Sequence, residues 1–358
     1  MPQYGLIEDC NVRKGKLSTR LIRVTIVSLA IVVFAGGCSD SSSETSTSSE
    51  SSETTQAAAV EASEGDFAGL VDIGGGRQMY MECSGTGSPT VVLASGLRDA
   101  ADVWSMSSAG EGAPTAFPEV ANFTRVCAYD RPGSVVGGES PSRSDPVSQP
   151  ATARDAVADL HALLSAAEEP GPYVLVGHSY GGLVVRLYAM TYPQDVSGLV
   201  LVDALSEELQ AGMTPEQWAL WKPLNEPTQE ELAEYKDIER QNPERSFEEV
   251  RAAAALRPLP LVVLSADRPW GPQISSLVAS GALPPDTPPD FGYVLDAAQK
   301  PAQEDLAKLV PGAEHITQTD SGHYIHNEQP QLVIDAIRQV VDADRDGAET
   351  VAVEEGAE

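Results

Sequence analysis

"VLVGHSYGGLVVRLYA", residues 174–189, sets the pentapeptide Gly177-His178-Ser179-Tyr180-Gly181 between two strongly apolar runs. Val174-Leu175-Val176 has the apolar, β-branched character of a buried strand, and Leu183-Val184-Val185 opens a helical pattern. The five residues between them form a strand-to-helix turn. A turn that tight forces the serine into a strained backbone conformation, and a glycine two residues to either side leaves room for it. The serine hydroxyl is thereby exposed at the carboxyl edge of a sheet, at a helix N-terminus.

The surrounding sequence supplies the sheet. "TVVLASG" (90–96), "RVCAYD" (125–130), "YVLVGHS" (173–179), "GLVLVDA" (198–204), "PLVVLSAD" (260–267) and "EHITQTDSGH" (314–323) are short, β-branched and bounded by Gly, Pro or Asp. Between them, "ATARDAVADLHALLSAA" (151–167), "GLVVRLYAMTY" (182–192) and "QLVIDAIRQVV" (331–341) carry apolar residues at helical spacing. Such alternation predicts an α/β fold with a mostly parallel sheet covered on both faces. Residues 205–256 differ: Trp218, Trp221, Tyr235 and Phe247 stand among many charges without a strand pattern, which predicts a helical insertion.

The chain has 358 residues, 42% of them hydrophobic, enough for one large α/β domain with tails. Its formal net charge of -30 argues against a nucleic-acid partner, whose phosphates would be repelled. At the N-terminus, Arg13, Lys14, Lys16, Arg20 and Arg23 precede an apolar stretch from Val24 to Ala35. That stretch is shorter than the roughly 20 residues a membrane-spanning helix needs, and it reads as an export signal. Ending in Ala35-Gly36-Gly37-Cys38, it resembles a bacterial lipoprotein signal, which implies a lipid on Cys38; a plain secretory signal cleaved nearby is the alternative. Residues 38–66, rich in Ser, Thr and Glu, read as a disordered tether, leaving residues 67–343 as a domain held at the outer face of the cell membrane. "DADRDGAETVAVE" (342–354) begins like a calcium loop but has Val353 at its twelfth position, so residues 344–358 read as an acidic disordered tail. No Cys/His cluster with metal-ligand spacing occurs, and neither a metal nor a cofactor is expected. Cys83 and Cys127 sit at the ends of short β-like runs, as an exported disulfide or as two buried small hydrophobes.

The elbow at 177–181, the "YDRPG" loop at 129–133 and "DSGHYIHNEQP" at 320–330 together resemble the α/β-hydrolase family, across nearly all of residues 67–343. The resemblance implies an eight-stranded sheet flanked by helices, with the strands of Cys83 and Cys127 as neighbours, which favours the disulfide. It also implies that the insertion at 205–256 caps the active site. The chain departs from the family at Ser95-Gly96-Leu97, where many members have His-Gly, and in "DRPGSVVGGES", which lacks the usual ending of that loop.

A serine hydroxyl is a poor nucleophile at neutral pH and needs a base. Among five histidines, His323 alone follows a strand and comes after Ser179 and the candidate acids, in the chain order that this fold demands. The acid is Asp203, directly after "GLVLV", with Asp267, after "PLVVLSA", as the alternative. The backbone N–H of Tyr180 and, by family position, that of Leu97 are the expected oxyanion donors. The expected reaction is hydrolysis of a small-molecule carboxylic ester through an acyl-enzyme. A proline-type aminopeptidase, a carbon–carbon bond hydrolase and a cofactor-free peroxidase use the same triad, and a tethered binding protein without catalysis is the rival from another class.

Overall fold

A computed structural model describes residues 65–281 and 283–355. The expected signal, Cys38 and almost all of the expected tether lie outside the described residues. Eight strands form one sheet: β1 (Phe67–Gly74), β2 (Arg77–Ser84), β3 (Thr90–Ala94), β4 (Val126–Tyr129), β5 (Tyr173–His178), β6 (Val196–Val202), β7 (Leu261–Leu264) and β8 (Glu314–Ile316). They stand in the order β1-β2-β4-β3-β5-β6-β7-β8. The β1–β2 hairpin joins the sheet antiparallel through the β2–β4 pairing, and every pairing from β4 to β8 is parallel. In the β2–β4 ladder Cys83 stands opposite Cys127, and the two are joined by a disulfide.

The helices are α1 (Ala116–Ala121), α2 (Ala153–Ala166), α3 (Tyr180–Thr191), α4 (Glu208–Ala211), α5 (Pro215–Leu224), α6 (Gln229–Glu234), α7 (Pro243–Arg251), α8 (Ile274–Ser280), α9 (Phe291–Leu306), α10 (Ile325–Glu328) and α11 (Pro330–Glu355). Successive strand side chains point to opposite faces, so each central strand feeds two cores. Val92 and Leu175 pack with Leu160 and Leu163 of α2 and Val184 of α3; Val91, Val174 and Val176 pack with Val120 of α1 and Ile337 and Val340 of α11. Burial on both faces explains why these strands read as unbroken apolar runs.

Two findings correct or extend the reading of the sequence. The terminal helix continues to Glu355, where an acidic disordered tail is expected from residue 344. A helix nucleated by the buried face of residues 333–341 adds one backbone hydrogen bond for each further residue, even where Asp342, Asp344, Asp346 and Gly347 are poor helix formers. Arg345 also fastens it, donating to the Ser88 and Phe123 carbonyl oxygens at 2.8 and 3.0 Å. The expected insertion after β6 holds α4 to α7, but a second helical insertion, α8 and α9, separates β7 from β8 and has no counterpart in the sequence reading. The two insertions meet where Gly212 follows α4: a Cβ there would stand 3.0 Å from that of Ala298 in α9.

Candidate active site

The register of the sheet brings its functional ends together. Ala94 pairs with Gly177, His178 with Val202, and Val202 with Leu264, so the loops after β3, β5, β6 and β7 leave the same edge side by side. Crevices at the carboxyl edge of a parallel sheet are where such folds bind ligands.

Ser179 is the first of these residues. Its backbone stands at φ 51°, ψ −121°, a strained conformation for a residue with a side chain. The turn is closed by close approaches that only glycine permits: a Cβ on Gly177 would lie 2.6 Å from Gly182 Cα, and one on Gly181 would lie 2.2 Å from the Ala94 carbonyl oxygen. Ser179 occupies the N-cap of α3 without capping it, although serine there normally accepts a bond from the helix's first turn. Its hydroxyl therefore takes no part in holding the helix end.

His323 lies in the loop after β8, and its Nδ1 is 2.6 Å from Oδ2 of buried Asp203. Asp203 is also left-handed, at φ 38°, and its Oδ1 accepts from the Ala266 N–H at 3.1 Å. Both carboxylate oxygens are thus engaged, and the acid is fixed between β6 and β7. Asp267 does not meet His323. It accepts the backbone N–H groups of Thr319, Asp320 and Ser321 at 3.1, 3.1 and 3.0 Å, in the loop that leads to His323. Burial pushes its carboxyl up, but those backbone donors outweigh it and hold the group below the usual carboxylate range.

Ser179, Asp203, His323, Leu97 and Tyr180 all line one cavity of about 100 Å³. Its remaining wall is largely apolar, with Trp221 and Leu224 from the first insertion and Trp270, Ile274 and Leu295 from the second. The backbone N–H groups of Leu97 and Tyr180 make no hydrogen bond among the described residues, and Tyr180 opens α3, whose dipole is positive there. Two free donors beside a serine and a carboxylate-bound histidine can carry acyl transfer.

The sequence reading passed over the parts that hold this arrangement. Arg131 of the "YDRPG" loop is buried; it donates to the Ser95 carbonyl oxygen at 2.8 Å and to both oxygens of Glu239 at 2.7 and 3.1 Å. Burial alone would lower the guanidinium pKa, yet Glu239 keeps it charged. Glu239 in turn accepts the Arg98 N–H at 2.7 Å, so one ion pair ties the loop at 95–98 to the first insertion. Gly133 makes the contact possible, since a Cβ there would lie 2.4 Å from the Asp237 carbonyl oxygen. Ser95, the departure from the family's histidine, is buried and holds the loop through Ala100 and the Trp104 indole.

Among curated proteins, residues of this chain are 36% identical over 87 residues to an uncharacterized protein of Schizosaccharomyces pombe, covering 24% of this chain and 15% of that one. They are 28% identical over 134 residues to the uncharacterized protein YqjL of Bacillus subtilis, covering 37% and 47%. The chain thus spans less than half the length of either relative. Among solved structures, the haloalkane dehalogenase DatA from Agrobacterium tumefaciens C58 superposes with a TM-score of 0.51 at 15% identity, over 78% of this chain and 98% of that one. A thermophilic esterase from Thermogutta terrifontis gives 0.49 at 19% identity, over 76% and 97%. The family model described as "Alpha/beta hydrolase family" matches residues 91–336, most of the chain, and the chain belongs to that family.

Proposed function

We propose that this protein is a serine hydrolase that cleaves a carboxylic ester through an acyl-enzyme. The observation that carries the reading is the 2.6 Å contact between His323 Nδ1 and Asp203, in a cavity that Ser179 also lines. In this reading the His323 Nδ1–H donates to Asp203, which leaves Nε2 as the base. Nε2 takes the Ser179 hydroxyl proton while Oγ attacks the substrate carbonyl carbon. The negative charge that develops on the carbonyl oxygen meets the N–H groups of Leu97 and Tyr180, each such donor contributing about 3 kcal/mol. His323 returns its proton to the departing alkoxide, and water repeats the sequence to release the acid. A serine at the elbow separates this chemistry from that of family members that attack with aspartate, the dehalogenases and epoxide hydrolases.

The apolar wall suits an uncharged acyl or alcohol group of modest length. The test is a series of p-nitrophenyl esters of increasing chain length, run beside aminoacyl anilides and with fluorophosphonate labelling. Ester turnover with the label on Ser179 supports the reading, and the absence of both overturns it. The basic, apolar and small-residue order of residues 13–38 supports a further part of the proposal, that the enzyme is exported and anchored by a lipid on Cys38. Detergent partitioning that Cys38→Ala abolishes is the expected result; a fully aqueous wild-type protein would exclude the anchor.

A further inference from the structure

Three consecutive peptide groups of the loop after β3 send a polar end to one ion pair. Arg131 donates to the Ser95 carbonyl oxygen at 2.8 Å and to that of Gly96, and its partner Glu239 accepts the Arg98 N–H at 2.7 Å. The middle group decides the chemistry, because it joins the Gly96 carbonyl to the Leu97 N–H. In a planar trans peptide those two bonds point in opposite directions. The Gly96 carbonyl is turned to Arg131, which lies behind the wall of the reaction cavity, so the Leu97 N–H is turned the other way, and Leu97 lines that cavity. This N–H makes no hydrogen bond among the described residues. The same guanidinium lies 5.3 Å from the ring centroid of Tyr180, whose backbone N–H is the other free donor. The loop also rests on the elbow: a Cβ on Gly181 would stand 2.4 Å from the Ser95 carbonyl oxygen.

We propose that Glu239 is a positioning residue for the oxyanion hole: from the first insertion, and through Arg131, it fixes the peptide group 96–97 with the Leu97 N–H directed at the reacting carbonyl. The inference rests on the acyl-transfer reading and adds to it a dependence of the hole on the insertion. The loop does not hold this shape without support. Arg98 stands in the left-handed region at φ 69°, a conformation that a residue with a side chain keeps only where its surroundings impose it. Here its N–H is bound by Glu239 and its carbonyl oxygen accepts the Val135 N–H at 2.7 Å. Glu239 lies between α6 and α7, with its own N–H on the Gly133 carbonyl oxygen at 2.7 Å and its carbonyl oxygen accepting Arg98 Nε–H at 3.1 Å. Its carboxylate meets only donors: Oε1 takes Arg131 Nε–H at 2.7 Å, and Oε2 takes the Arg98 N–H at 2.7 Å and Arg131 Nη2–H at 3.1 Å. A glutamine of the same shape would set its amide N–H groups against at least one of these donors, and release of Arg98 frees the peptide groups on either side of Leu97 to rotate.

The test reads Glu239→Gln with p-nitrophenyl butyrate and with two competing ketones. Ser179 Oγ adds to the carbonyl carbon of 1,1,1-trifluoropentan-2-one, its proton passes to His323, and the negative charge left on the former carbonyl oxygen needs the hole. Pentan-2-one fills the same space and stays a ketone. The ratio of their inhibition constants therefore measures the hole apart from the pocket. Glu239→Gln should lower kcat at least about tenfold and the ketone ratio at least about tenfold, with KM within threefold, because a displaced donor is lost only to the charged state. A loss below tenfold in either quantity, or a loss carried by KM, overturns the proposal; a kcat loss with the ketone ratio kept would make Glu239 a support of the fold alone. Should that variant fail to fold, Arg131→Lys is read in the same way, since lysine keeps the charge against Glu239 but loses the fork that spans both carbonyl oxygens and the carboxylate. Wild-type samples separate the two failures: an enzyme that hydrolyses the ester and takes a fluorophosphonate on Ser179, while its variants keep the ratio, loses the positioning role alone, and one that does neither loses the hydrolase reading.

Discussion

Asp267 and Ser321 are joined in both directions: the Ser321 N–H donates to Asp267 Oδ1 at 3.0 Å, and the Asp267 N–H donates to the Ser321 carbonyl oxygen at 3.2 Å. The carboxylate that does not touch His323 thus fastens the loop that delivers it. The two aspartates should therefore respond differently to removal of charge. Asp203→Asn should lower kcat by about 10³–10⁴, whereas Asp267→Asn should keep kcat within roughly tenfold and lose stability instead. The Asp267 carboxyl is held below its ordinary value of 3.8, so its contribution is present above that pH and is lost as pH falls through the lower folded value. The stability gap between Asp267→Asn and wild type should accordingly narrow under acid, as urea melts at neutral pH and at a pH below the ordinary carboxylate value of 3.8 would read. A large kcat loss confined to Asp267→Asn would reverse the assignment.

Ser179 combines a strained backbone with a hydroxyl that caps nothing, which separates its effect on rate from its effect on folding. Ser179→Ala should cut turnover by several orders of magnitude and leave stability close to wild type, because alanine inherits the same φ of 51°. Ser179→Gly should be equally inactive yet more stable than Ser179→Ala by about 1 kcal/mol, since glycine adopts the left-handed region freely. Equal melting of the two variants would show that the elbow stores no such strain.

The strands and the elbow were legible because each depends on residues close together in sequence, and a buried parallel strand declares itself by its apolar run; the order Ser179, Asp203, His323 came from the resemblance to the family, since Asp203 and His323 lie 120 residues apart. Asp203 and Asp267 could not be separated with the same ease, since the choice turns on where the loop after β8 runs, and only the folded chain shows it held by Asp267. Arg131 and Glu239 lie 108 residues apart and Glu239 sits in a charge-rich stretch, so nothing local marks either as a clamp on the loop at 95–98. Helix α9 went unseen because Pro301 interrupts its pattern, although it brings Leu295 and Gln299 to the cavity.

The Cys83–Cys127 bridge closes a loop of 44 residues between buried, directly paired strand positions. Constraining the unfolded chain over that span is worth about 2–4 kcal/mol. The double variant Cys83→Ala/Cys127→Ala should lose that amount in urea melts, and wild type treated with a thiol reductant before unfolding should approach it. Non-reducing peptide mapping should recover the two cysteines in one linked species. Recovery of both as alkylated thiols without reductant would exclude the bridge.

His326 is buried with neither ring nitrogen hydrogen-bonded, packed 4.6 Å from the Trp104 ring and 4.4 Å from that of His178. Burial, with a smaller contribution from His323, lowers it from 6.5 to about 3. The unfolded chain therefore binds a proton at this residue between those two values while the folded chain does not, and stability falls as pH drops through that window. At 1.36 kcal/mol per pH unit, the loss from this group between pH 7 and pH 5 is about 2 kcal/mol. His326→Phe removes the proton and keeps an aromatic ring against Trp104. Whatever its stability at pH 7, the variant should gain about 2 kcal/mol relative to wild type on going to pH 5, because His178 titrates in both proteins and largely cancels. Urea unfolding of the pair at the two pH values measures it; a stability difference that does not move with pH would mean that His326 finds a proton, or a partner, in the folded protein.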